Sequence, residues 1–184
     1  METELLRWIN AHHCRALDRL MWGASASADF FLPWICVGVA VWALDRRGGK
    51  ETLIALALSF VLATISVDLA LKPLFARARP FLSVAGVRLM RGTPATRIFR
   101  DTWSFPSGHC ASSAAAAWVL AARRRRLALP LAALVLLIAY SRVYLGMHFP
   151  SDCLAGLAAG VICGEAARRC ARALFRGAGE GVAA

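Results

Sequence analysis

Apolar residues in this chain gather into runs of about 20, the length that crosses a bilayer as a helix, rather than into short alternating segments. The runs cover residues 24–44, 51–71, 106–122, 127–143 and 151–169. Pro33 and Asp29 are tolerated near the outer end of the first run, and the last three runs are short or polar at one end. Ahead of them, residues 4–22 place Leu5, Trp8, Ile9, Leu17, Leu20 and Met21 on one helical face and charges on the other. Such a helix lies in the membrane interface or packs on other protein, and the pattern alone leaves both open. The pattern predicts an all-α polytopic membrane helix bundle of about five transmembrane helices behind an N-terminal interfacial amphipathic helix. Residues 1–184 then form a single domain: an interfacial helix at 1–23, a transmembrane core at 24–171 and a cytoplasmic tail at 172–184. The first 27 residues include Glu2, Glu4, Arg7, Arg15, Asp18 and Arg19, which does not fit a signal peptide.

The composition is 59% hydrophobic with a formal net charge of +11 over 184 residues. A charge of that size raises nucleic acid as a partner, but a nucleic-acid module needs a basic face on a soluble domain or a basic tail. Here the basic residues mostly sit between apolar runs, where they set topology. Arg46, Arg47 and Lys50, then Arg123 to Arg126, then Arg168, Arg169, Arg172 and Arg176 fall on one side if the spans alternate. That side is assigned to the cytoplasm, which puts the N-terminal helix and the loops at 72–105 and 144–150 outside. The expected location is a bacterial inner membrane with the site facing the periplasm. Lys72, Arg77, Arg79, Arg88, Arg91, Arg97 and Arg100 in the outer loop run against the positive-inside trend and call for a functional explanation. His12 and His13 are adjacent, point apart on a helix and read as interfacial rather than metal-binding. The six cysteines include no Cys-x-x-Cys pair, so no zinc ribbon or thioredoxin motif is indicated. A disulfide between Cys110 and Cys153 is open on an oxidising face, although two free thiols are the expectation.

Three polar clusters fall on the outer side: Lys72 to Arg79-Pro80; Pro106-Ser107-Gly108-His109; and Ser141-Arg142 followed by His148 and Asp152. Lys72, Arg79 and Arg142 place positive charge at the mouth of a low-dielectric bundle, where ionisable groups are costly and mark function. A phosphate ester dianion is the natural counter-charge, held bidentately by Arg and as a point charge by Lys. Pro106, Ser107 and Gly108 open an apolar helix whose free N–H groups bind anions, with the Ser107 hydroxyl adding a hydrogen bond. Phosphoryl transfer through an enzyme intermediate needs one group to attack phosphorus and another to protonate the departing oxygen. His148, with Asp152 four residues on to orient its ring, fits the nucleophile. His109, without a local carboxylate, fits the general acid.

These clusters resemble the type 2 phosphatidic acid phosphatase superfamily, which also includes acid phosphatases and vanadium haloperoxidases. Its pattern is Lys-x6-Arg-Pro, then Pro-Ser-Gly-His, then Ser-Arg-x5-His-x3-Asp, and each part is present without substitution between residues 72 and 152. The resemblance implies a phosphatase that uses neither metal nor cofactor and works through a phosphohistidine. His148, His109 and Asp152 would be catalytic, and Lys72, Arg79, Ser107, Gly108 and Arg142 would bind substrate phosphate. The partners implied are the bilayer and a lipid phosphate or diphosphate: undecaprenyl pyrophosphate first, then phosphatidylglycerophosphate, phosphatidic acid or a lipid A phosphate. Oligomeric state is not legible. Two other readings compete: a non-catalytic phosphate-lipid binder or transporter, and a metal site from His109, His148, Asp152 and a cysteine, which the basic surroundings disfavour.

Asp68 stands four residues before Lys72, close enough on a helix for the two to pair. If the pair aims Lys72, Asp68→Asn weakens phosphate affinity and lowers activity. Unchanged values for both would reduce it to an ion pair that eases burial.

Overall fold

The computed structural model describes residues 1–29, 32–44, 46–89 and 103–180, with the side chains of residues 29, 32, 46, 47 and 177–180 set aside. Arg91, Arg97 and Arg100 of the outer loop, with the side chains of Asp29, Arg46 and Arg47, lie outside the described residues. All regular structure among the described residues is helical. The helices are α1 (Glu2–Ala11), α2 (Arg15–Asp29), α3 (Leu32–Leu44), α4 (Arg46–Ala63), α5 (Lys72–Phe75), α6 (Pro80–Ser83), α7 (Gly108–Arg123), α8 (Ala128–Tyr144) and α9 (Pro150–Glu180). A π-helical stretch, Thr64–Leu71, joins α4 to α5, and a 3-10 turn at Arg125–Leu127 precedes α8.

Two predicted boundaries shift. The amphipathic stretch at 4–22 is two helices, broken at residues 12–14. Leu6 is fully buried, and Asn10, also buried, donates to the carbonyls of Arg88 (3.0 Å) and Tyr144 (2.8 Å) and accepts from the Arg88 N–H (2.7 Å). These bonds dock α1 on protein, while Leu5 and Trp8 stay exposed. At the other end, α9 continues past residue 169, because the Ala, Arg and Leu residues that follow are good helix formers.

Gly48–Ser83 and Arg125–Tyr144 are long and apolar enough to cross a membrane, and Arg15–Ala28 with Pro33–Leu44 adds a third if the bent pair is one span. The count of five expected from the runs is therefore not reached on length and composition among the described residues. The shortfall lies in the helices that carry polar chemistry: α7 has 16 residues, and α9 contains Asp152, Glu165, Arg168 and Arg169.

The bundle is organised around α7, which touches α2, α3, α4, α8 and α9. Cys110 to Ala117 on α7 are buried without a break, so its neighbours approach on every side. The closest approach is α9, through a row of glycines one helical turn apart. A Cβ on Gly156 would collide with the Ser107 carbonyl oxygen, one on Gly160 with that of Ala111, and one on Gly164 would stand 2.7 Å from that of Ala115. Between membrane helices, where water drives little association, such small-residue seams let dispersion contacts hold the pair. The seam also sets register, leaving Ser107 N–H to donate to the Asp152 carbonyl at 3.0 Å.

A larger residue at the seam should separate the helices. Gly160→Val meets the Ala114 Cβ at 2.8 Å already with its first carbon. It should lose about 1–3 kcal/mol, read as a lower midpoint for thermal unfolding in detergent. Gly23→Ala is the control, because nothing lies within 4 Å of its added carbon and the helix gains propensity.

Candidate active site

One end of the helix bundle brings the three sequence clusters into one place. Lys72 opens α5 directly after the π-helical stretch, whose wider turns re-aim the side chains that follow it. Ala76 then takes a left-handed conformation (φ 44°) that turns the chain toward Arg79, the N-cap of α6. A non-glycine residue in that region costs about 1–2 kcal/mol, so the turn is held by its surroundings. Ser107 caps α7, His109 lies in its first turn, and Arg142 lies in the last turn of α8. His148 occupies the loop between α8 and α9, and Asp152 sits in the first turn of α9. Arg79, Arg142 and His148 are each 1% exposed, and Ser107 and Asp152 are fully buried. Lys72, Gly108 and His109 are half-buried.

His148 is held by its backbone and by one ring nitrogen. Its amide donates to the Arg142 carbonyl at 3.2 Å. Ring Nδ1 stands 2.8 Å from the Ser104 carbonyl oxygen, which can only accept, so Nδ1 carries the proton. Nε2 is then left with its lone pair, facing Arg79 Nη1 at 3.3 Å. Burial first, then the charges of Arg79, Arg142, Lys72 and His109, hold the His148 imidazole well below its usual range. The ring is therefore neutral at neutral pH with its free nitrogen on the cationic side.

Asp152 is placed differently from the simple pairing that spacing suggests. Its carboxylate is 3.6 Å from His148 Nδ1, an ion-pair separation beyond hydrogen-bond length. Oδ2 accepts the Phe149 N–H at 2.8 Å and the Ser104 hydroxyl, and Oδ1 accepts from Arg77 Nη1 at 2.7 Å. Asp152 thus caps α9 while fixing Ser104, and Ser104 in turn holds the His148 ring.

On the opposite side of the ring, Arg142 lies close enough to Arg79 for the two charges to repel. Arg79 Nη1 donates to the Met147 carbonyl at 3.1 Å, and Arg142 Nη1 to the hydroxyl of Ser25, a buried residue of α2. Lys72 pairs with Asp68, the contact expected from their spacing. Gly108 is small for a reason: a Cβ there would stand 3.1 Å from Asp68 Oδ1 and 3.6 Å from Lys72 Nζ. The Ser107 hydroxyl is buried with no hydrogen-bond partner among the described residues, at the N-terminus of a 16-residue helix whose free N–H groups favour an anion.

All eight residues singled out from the sequence lie in or beside this recess. Ser104, Ser25 and Glu2 also reach into its supports, and nothing in their sequence context marks them. Arg77 stood out only as one of several outer-loop cations. Among the described residues, no group of three or more His, Cys, Asp or Glu has the geometry to hold a metal ion. All six cysteines are free, with Cys110 and Cys153 buried in one cluster behind the site.

Residues 52–176 match the PAP2 superfamily. The chain is 31% identical over 156 residues to an undecaprenyl-diphosphatase of Sulfolobus acidocaldarius, covering 84% of this chain and 70% of that one. It is 36% identical over 146 residues to a decaprenylphosphoryl-5-phosphoribose phosphatase of Mycobacterium tuberculosis, covering 77% and 73%. Among solved structures, Aquifex aeolicus LpxE superposes with a TM-score of 0.68 at 27% identity, over 90% of this chain and 93% of that one. A transmembrane PAP2-type phosphatidylglycerolphosphate phosphatase from Bacillus subtilis shares the fold, with a TM-score of 0.64 at 22% identity over 91% and 82%. This chain, with its buried cationic recess around a histidine, belongs to the PAP2 superfamily of membrane phosphatases.

Proposed function

We propose that this protein removes a phosphate group from a polyprenyl lipid, most directly undecaprenyl pyrophosphate, through a phosphohistidine on His148. The observation that carries the reading is the neutral, Nδ1-protonated His148 with Nε2 turned toward the buried Arg79 guanidinium. The terminal phosphate enters among Lys72, Arg79 and Arg142, and the Ser107 hydroxyl and the N–H groups opening α7 complete its shell. Nε2 attacks phosphorus as the bond to the bridging oxygen breaks, and His109 protonates that oxygen as it leaves. The Ser104 carbonyl and the Asp152 charge stabilise the ring as it becomes cationic. Water, deprotonated by His109, then cleaves the N–P bond, and inorganic phosphate departs. No step uses a metal.

The substrate class is supported by two relatives whose names specify polyprenyl phosphates. Phosphatidylglycerophosphate, phosphatidic acid and lipid A phosphates are the alternatives. The orientation proposed is five spans in a bacterial inner membrane, with the site facing the periplasm and residues 1–184 acting as one domain. In support, Glu51, Arg123, Arg168 and Arg172 gather at the far end of α7 from Ser107, about 24 Å along its axis.

Purified protein assayed against a panel of lipid phosphates and diphosphates, with phosphate release as readout, tests the substrate. Undecaprenyl pyrophosphate should give the highest kcat/KM, in full in excess chelator, and vanadate should inhibit as a mimic of the transferring phosphoryl group. His148→Ala should reduce hydrolysis to background, and His109→Ala should cost about 10²–10⁴-fold. A non-catalytic binder would show no dependence on either histidine.

The pH profile follows from the ring's surroundings. Protonation silences Nε2, and burial with four positive neighbours lowers the pH at which this happens. As pH falls, kcat/KM should hold through the ordinary imidazole range, near 6.5, and decline only below it. A limb at or above that range would mean an unshifted nucleophile.

A further inference from the structure

Arg77, unlike Lys72, Arg79 and Arg142, is turned onto the carboxylates of Asp152 and Glu2. Its Nη1 donates to Asp152 Oδ1 and to Ser151 Oγ, each at 2.7 Å, and its Nη2 donates to Glu2 Oε2 at 3.0 Å. The guanidinium carbon lies 3.8 Å from the centre of the Phe149 ring, which stacks the planar group in place. The Arg77 carbonyl accepts the Ser104 N–H at 2.7 Å. Arg77 therefore grips both groups that set the His148 ring: Ser104 through its backbone and Asp152 through its side chain. Two carboxylates neutralise it, so its charge is spent on the protein and not on a substrate.

Glu2 completes the chain from outside. One of its oxygens accepts from Arg77, and the other accepts the Ser151 N–H at 2.8 Å and the Ser151 hydroxyl. Burial opposes its charge, but the hydrogen bonds from Ser151 and Arg77 outweigh this and hold the Glu2 carboxyl below its ordinary range. Glu2 belongs to the first turn of α1, which is docked through Leu6 and Asn10.

We propose that Arg77 and Glu2 are positioning residues for His148, acting in series through Asp152 and Ser104, and that α1 is by this route part of the active site. The physical need is clear from Asp152. It is fully buried, and its ion-pair partners among the described residues are Arg77 at 2.7 Å and His148 at 3.6 Å. Arg77 is the nearer of the two and bonds the carboxylate directly. Without Arg77, the Asp152 carboxylate loses that anchor, the Ser104 hydroxyl loses its fixed acceptor, and the His148 ring is no longer held in one orientation. Among the described residues, the charged or titratable groups around Asp152 are Arg77 and Arg79 from the segment before α6, His148 from the loop before α9, and the thiols of Cys110 on α7 and Cys153 on α9.

This role rests on the phosphatase reading only for its kinetic readout. Full-length protein in detergent, as Arg77→Gln, Arg77→Lys, Glu2→Gln and the double Arg77→Gln, Glu2→Gln variant, is assayed for phosphate release from undecaprenyl pyrophosphate across pH. Arg77→Gln should lower kcat about 10²-fold with KM little changed. Arg77→Lys should restore part of kcat. Glu2→Gln should cost about fivefold in kcat, and that cost should vanish in the Arg77→Gln background because the two act in series. Parental kcat in Arg77→Gln, a loss confined to KM, or full additivity would each overturn the proposal.

NMR of ring-nitrogen-labelled histidine supplies a readout that needs no turnover. The Nδ1–H signal of His148, assigned by its loss in His148→Ala, should be sharp in the parent and shifted or broadened in Arg77→Gln and Glu2→Gln. An unchanged signal in both variants overturns the positioning role. If the parent hydrolyses no lipid phosphate, the phosphatase reading fails while this signal still decides the positioning role. Should Arg77→Gln not fold, Glu2→Gln decides alone, and parental kcat and ring signal together would overturn the proposal.

Discussion

Buried positive charge beside a neutral imidazole is the condition around which the outer half of this protein is arranged. Arg79 and Arg142 are almost completely withdrawn from solvent and lie near enough to repel each other. Arg79 donates to the Met147 carbonyl and Arg142 to the Ser25 hydroxyl. Asp68 pairs with Lys72 and Asp152 with Arg77. The result is a cluster of buried donors beside one ring nitrogen bearing a lone pair. A phosphate dianion is the chemical complement of that arrangement, which is how the fold relates to the phosphatase family to which the chain belongs.

That arrangement depends in turn on how closely α7 and α9 approach. Gly156, Gly160 and Gly164 bring α9 against the carbonyls of Ser107, Ala111 and Ala115. Ser107 and Asp152 are joined by a backbone hydrogen bond at the outer end of that seam, so spacing set by side-chain volume within the bundle is passed to the groups around His148. Polar termini and a close seam cost these helices apolar character, and the more apolar α4 and α8 supply it.

The N-terminal segment has two surfaces with different duties. Leu5 and Trp8 are exposed, while Leu6, Ile9 and Asn10 are buried against the loop before α7 and the end of α8. The buried face is the packed one of the two readings the amphipathic pattern allowed, and Leu5 and Trp8 lie on the face that the interfacial reading would set against lipid.

Apolar run lengths, basic clusters and three spaced motifs were enough to point to an all-helical membrane bundle, its family and eight residues that the fold brings to one place. These features are local: a run of about 20 apolar residues has one stable use in a bilayer, and motif spacing places side chains on the same helix end. Tertiary structure decided what local pattern cannot carry. The break at residues 12–14 is one such feature. The hydrogen bond from His148 to the Ser104 carbonyl rather than to Asp152 joins positions 44 residues apart, and each step of the link from Glu2 through Arg77 to Asp152 joins positions 75 apart. The tautomer of His148 belongs to this second group, because it depends on which acceptor the folded chain presents to Nδ1. Asp152 is near His148 by spacing alone, but the direction of its carboxylate follows from Arg77, Ser104 and the Phe149 amide, whose bonds are shorter than the one the ring could offer.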